Sequence, residues 1–106
     1  MGKFNTTTVM LLDEDIQLKM QNARALMIED IENALSSAPD NYITIKTPCF
    51  LDSIGDDVCN GVELTETGIE LSCEYGWRTI SELNYEQLHT VYEALKYEGN
   101  FKDTEN

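Results

Sequence analysis

The sequence predicts an α+β domain: a long N-terminal helix, an antiparallel meander of three or four strands, and a C-terminal helix packed on one face of the sheet. Three observations carry this reading. Apolar residues recur at steps of three and four between Ile16 and Leu35, which draws one stripe along a helix. Between Val62 and Glu74 apolar and polar residues alternate, which is the period of a half-buried strand. Asn84 with Gln87 three residues later opens a second helical run with a capping box. At 106 residues with 42% hydrophobic content, the chain suits one domain, since two halves would each be too small for a core.

In chain order, the acidic run Asp13-Glu14-Asp15 suits a helix N-terminus, with Asp13 as its cap. Ile16, Met20, Ala23, Met27, Ile31, Ala34 and Leu35 then form the stripe, and Leu26 and Ile28 widen it. Pro39 ends the helix by biasing Ala38 away from helical geometry. A helix from Glu14 to Ser37 is ~36 Å long at ~1.5 Å per residue. Tyr42 to Thr47 is β-branched and aromatic, and Pro48 places it at a strand end or sheet edge. Residues 48–60, with Phe50, Leu51 and Ile54, read as a short strand or an ordered loop.

The strongest local signal is a hairpin. A four-residue loop, Thr65-Glu66-Thr67-Gly68, sets Leu64 opposite Ile69 and Val62 opposite Leu71, with Gly68 at positive φ. A second turn at Tyr75-Gly76 leads to a strand over residues 77–80, and two geometries stand open there. If Tyr75-Gly76 is a two-residue loop, Leu71 pairs with Ile80 and Trp77 points outward. If Glu74 joins the turn, Cys73 pairs with Trp77 and the indole is buried. In the last helix Leu88, Val91, Tyr92 and Leu95 form the apolar stripe, Leu83 and Leu88 a hydrophobic staple, and Gly99 the terminator. Residues 1–12 and 99–106 read as more loosely ordered ends.

Charge narrows the function. Twenty acids against seven bases give a formal charge of −13, which disfavours nucleic acid and anionic lipid as direct ligands, because phosphates are held by Lys and Arg. A basic protein partner, or solubility alone, suits this balance. Three cysteines without C-x-x-C spacing (Cys49, Cys59 and Cys73) suggest reduced thiols in a cytoplasmic protein rather than a disulfide scaffold. No apolar run reaches membrane-spanning length, and Val9-Met10-Leu11-Leu12 is too short for a signal peptide. Met1 to Thr6 fits the permissive N-myristoylation template, but Lys3 stands alone where firm anchoring needs a basic patch.

Catalytic and cofactor-binding signatures are missing from the sequence. The one histidine, His89, lies beside the apolar position Leu88, and no motif pairs it with a cysteine. The loop holding Asp52, Asp56, Asp57, Asn60 and Glu63 is rich in oxygen and turns, yet Ile54 breaks the order an EF-hand requires. What remains is an interaction surface. The hairpin register sets Glu63 across from Glu70 with Glu74 further along, and like charges facing one another weaken a sheet. Together with Tyr75 and Trp77 they compose a candidate partner-binding face. Three functional expectations follow: a non-enzymatic protein-interaction domain that uses this face or dimerises through Leu26 and Ile28 of the first helix; a nucleic-acid mimic that inhibits a nucleic-acid-binding protein; and a small cation-binding module or enzyme.

Overall fold

The computed structural model describes residues 6–51 and 57–101, with residues 6–14 as backbone only. Helix α1 spans Thr6–Ser37. It therefore starts well before the expected Glu14, and Asp13 lies within it rather than capping it. No Gly or Pro interrupts residues 6–38, so once nucleated the helix extends at little cost. Its C-terminal end matches expectation: Ala38 is extended (φ −86°, ψ 150°), followed by a 3₁₀ turn over Pro39–Asn41. The Asn41 side-chain amide donates to the Leu35 carbonyl at 3.0 Å, satisfying one terminal acceptor.

Four strands follow in sequence order across one antiparallel sheet: β1 (Tyr42–Thr44), β2 (Cys59–Thr65), β3 (Gly68–Cys73) and β4 (Gly76–Thr79). The central register is the one read from the sequence, with Val62 opposite Leu71, Glu63 opposite Glu70 and Leu64 opposite Ile69. The ladder runs one pair further, to Thr65 and Gly68, so Glu66 and Thr67 alone form the tip. Gly68 takes φ 131°, and the Thr65 hydroxyl donates to the Gly68 carbonyl at 2.9 Å. Strand β1 is shorter than the expected Tyr42–Thr47. After Ile45, whose amide still reaches the Asn60 carbonyl at 2.9 Å, the amides of Lys46 and Thr47 donate to the Glu98 carboxylate. Those donors are satisfied by a side chain, and strand pairing stops. Phe50 and Val58 form an isolated antiparallel bridge, while residues 52–56 lie outside the described residues.

The β3–β4 turn follows neither expected geometry. Cys73 faces Gly76, Ser72 faces Trp77 and Leu71 faces Arg78, so the two-residue loop is Glu74-Tyr75 and Gly76 supplies the positive φ, at 126°. Ile80 does not pair with Leu71; it opens a 3₁₀ turn, Ile80–Glu82. Helix α2 spans Tyr85–Tyr97. Its capping box is complete, with the Asn84 side chain accepting from the Gln87 amide at 2.8 Å and the Gln87 side chain from the Asn84 amide at 2.9 Å. Gly99 (φ 81°) terminates it, and the Asn100 amide reaches back to the Leu95 carbonyl at 3.1 Å.

One buried cluster joins these elements: Met27, Ile31 and Leu35 from α1, Leu88, Val91, Ala94 and Leu95 from α2, and the inward set Cys59, Val62, Ile69, Leu71 and Cys73 from the sheet. Ile28 packs on its margin, so it is not free surface, whereas Leu26 is 60% exposed. Beyond Gly99, Phe101 stacks on Tyr92 with ring centroids 4.7 Å apart; residues 102–106 lie outside the described residues. Among the described residues, no helix is long and apolar enough to cross a membrane. The radius of gyration, 16.8 Å, and the longest extent, 60 Å, exceed the ~13 Å radius expected of a compact chain this size, because α1 runs out past the sheet.

Candidate partner-binding face of the sheet

Side-chain parity divides the sheet into two faces. Val62, Leu71 and Ile69 turn to the helices, so Glu63, Glu70 and Ser72 turn away from them, and Trp77, opposite Ser72, turns with them. The indole is 57% exposed and Tyr75 at the adjacent turn is 73% exposed. Trp77 is therefore outward. Of the two readings left open by the sequence, the burial of the indole is overturned, because the β3–β4 loop is two residues long and keeps Trp77 in phase with Glu70 rather than Leu71.

Two rows of side chains cross this outward face. Tyr42, Glu63, Glu70 and Thr79 make one, and Thr44, Gly61, Ser72 and Trp77 the other. Gly61 has a specific role here. A Cβ at this position would collide with the phenol of Tyr42, so the ring lies across the bare backbone of β2. Tyr42 and Trp77 thereby flank Ser72, over about two strand spacings or ~10 Å. Tyr42 was missed in the sequence-based set, although a lone glycine inside a strand is a recognised mark of close approach by another group.

The turn that carries Trp77 is held in place. Asp57 accepts from the Tyr75 amide at 3.4 Å and pairs with the Arg78 guanidinium at 3.1 Å, one residue on from the indole. The Glu74 amide donates to the Val58 carbonyl at 2.8 Å. Asp57 is thus engaged in positioning β4, while Asp52 and Asp56 lie outside the described residues. Among the described residues no three His, Cys, Asp or Glu side chains are grouped to hold a metal ion.

Among the described residues, no cation pairs with the carboxylates on this face. The ion pairs among the described residues are Lys19–Asp15 and Arg78–Asp57, with a His89–Glu93 contact beside them, and none involves Glu63, Glu70 or Glu74. The face can therefore offer a flat aromatic surface next to directly opposed carboxylates, an arrangement that attracts a guanidinium or ammonium group by Coulomb and cation–π terms together.

Two other constellations lie outside this face. Cys49, Cys59 and Cys73 are buried side by side on the core face. The Cys59 thiol reaches the Gly61 carbonyl at 3.5 Å; the neighbouring Cys49 and burial raise its pKa far above the thiol range, Cys59 in turn lowers that of Cys49, and burial pushes Cys73 up to about 12. The neutral, buried thiols of Cys59 and Cys73 are packing groups. His89 is exposed on α2, contacts Glu93 at 3.5 Å and stacks over Tyr85 at 6.1 Å. The second is an open groove between the C-terminal ends of α1 and α2 and strand β1. Its polar groups already serve one another, since the Tyr92 hydroxyl donates to Asp30 at 2.8 Å and Glu98 takes the Lys46 and Thr47 amides. Burial and the bond to Asp30 raise Tyr92 to about 12; the Thr47 side chain and the loop amides lower Glu98. Comparison of the chain with protein-family models, with curated proteins and with solved structures finds no match in any of the three.

Proposed function

We propose that this chain is a non-enzymatic, cytoplasmic protein-interaction module that docks a basic segment of a partner protein on the outward face of β2, β3 and β4. The observation that supports this most directly is an exposed Trp77 set on a strand, braced by Asp57, beside the unpaired carboxylates Glu63 and Glu70. Large aromatics anchor interfaces when they sit on rigid elements and shed little entropy on binding. The opposed glutamates weaken the sheet on their own, and a bound Arg or Lys side chain relieves that repulsion. An aromatic centre favours a protein side chain as ligand over mimicry of a nucleic acid, for which carboxylates alone at phosphate spacing would serve.

The chain contains one tryptophan, so its fluorescence reports on this face alone. Titration with an Arg- and Lys-rich peptide should give a saturable change that weakens as salt is raised, while an acidic peptide gives none. Glu63→Gln with Glu70→Gln should abolish most of the binding. Trp77→Ala, followed by calorimetry, should weaken it ~30-fold, the scale of a ~2 kcal/mol hot spot. A fluorescence change that survives the double glutamine variant would remove the reading.

A further inference from the structure

The outer half of α1 lacks a covering within the chain's described structure. Arg24 marks where the helix leaves the body, its guanidinium reaching the carbonyls of Ile80 and Ser81 at 3.4 and 3.3 Å. Beyond that point Ile16 (56% exposed) and Met20 (44% exposed) continue, in line, the same stripe that Met27, Ile31 and Leu35 fill inside the core. The spacing from Met20 through Met27 to Ile31 is eleven residues, which keeps a stripe almost straight along the helix. Charge also changes at this boundary. Residues 6–26 hold three acids (Asp13, Glu14 and Asp15) and two bases (Lys19 and Arg24), whereas residues 27–106 hold seventeen acids and four bases.

We propose that this segment is a self-association site: two copies of the chain pair their α1 helices antiparallel through Ile16 and Met20, about a two-fold axis level with Leu18. Electrostatics sets the direction. In this arrangement the two Met27 positions, where each acidic body begins, are eighteen residues apart along the axis, or ~27 Å, about three Debye lengths at physiological salt. Parallel pairing would place the two bodies side by side and oppose their charges. The antiparallel axis also sets Ile16 of one copy level with Met20 of the other, and brings the Asp15–Lys19 pair of one copy, 3.4 Å apart on its own helix, within a turn of the same pair on the second copy's facing flank. A two-fold contact is self-complementary by construction, which an apolar stripe flanked by one acid and one base on the same side satisfies.

Sedimentation equilibrium over the micromolar range tests it. The average mass should rise from 12.0 kDa towards twice that value. Ile16→Glu with Met20→Glu should hold the chain at its monomer mass, with the melting temperature of the dilute, monomeric protein unchanged, since neither side chain lies in the core. For direction, a mixture of Ile16→Cys and Met20→Cys chains should cross-link in preference to either alone. A chain that stays monomeric, even if it captures some other protein, overturns the proposal. A dimer that survives the double Glu variant also overturns it, and so does a Met20→Cys chain that links chiefly to itself.

Discussion

Glu98 illustrates how one carboxylate joins distant parts of the chain. It accepts the Lys46 and Thr47 amides from a loop more than fifty residues away, ends strand β1, and ties that loop to the end of α2. Those bonds favour the ionised form, and the Glu98 pKa is lowered accordingly. The linkage sign follows: the contribution to stability is present above the unfolded glutamate pKa of ~4.3 and is lost as pH falls through the lower folded value. Denaturant midpoints measured between pH 6 and pH 3 should therefore decline in the wild type, and part of that decline should vanish in Glu98→Gln; equal slopes would contradict the assignment. Gly61 acts by omission. It leaves room for the Tyr42 ring, so the aromatic floor beside Trp77 depends on a residue with no side chain. Neither contact is local. A single sequence holds no record that residue 98 will meet residues 46 and 47, which is why both escaped a reading built on spacing.

Elements whose logic is local were legible. The β2–β3 register follows from two alternating runs of fixed parity joined by a loop ending in Gly68, and α2 follows from the Asn84–Gln87 exchange and Gly99. Where one residue decides a phase, legibility failed. The glycine in Tyr75-Gly76 was correctly placed at a turn, but its positive φ falls at the first position of β4, outside the loop, and this shifts the partner of Trp77 to Ser72. The start of α1 was misplaced because an acidic run suits the interior of a helix as well as its cap. The legible register makes its own prediction. Glu70→Thr removes the like-charge pair with Glu63 and adds a β-branched residue, so urea unfolding should show a gain of about 0.5 kcal/mol. The same variant should bind the basic peptide more weakly. A sheet that gains stability as it loses affinity would mark Glu70 as kept for recognition; a loss of both would not.

At the scale of the whole molecule, mass and charge are distributed unevenly. The body is acidic and compact, whereas the outer part of α1 is apolar on one side and nearly free of net charge. An isolated helix of about fifteen residues is marginal in water, since most helical stability comes from packing. Within α1, then, local opening should cost little near Ile16 and approach the global unfolding free energy at Ile31 and Leu35, which are fully buried. Amide hydrogen exchange at low protein concentration should reveal this as a steep gradient along one continuous helix. Raising the concentration should flatten the gradient from the outer end, because pairing slows exchange only where the helices touch. Uniform protection at every concentration would mean that the outer turns have a cover of another kind. On the proposed pairing, a helix that runs out past its sheet would convert protein concentration into local order: its outer turns would firm up only when copies are near, while the body that carries Trp77 stays as it was.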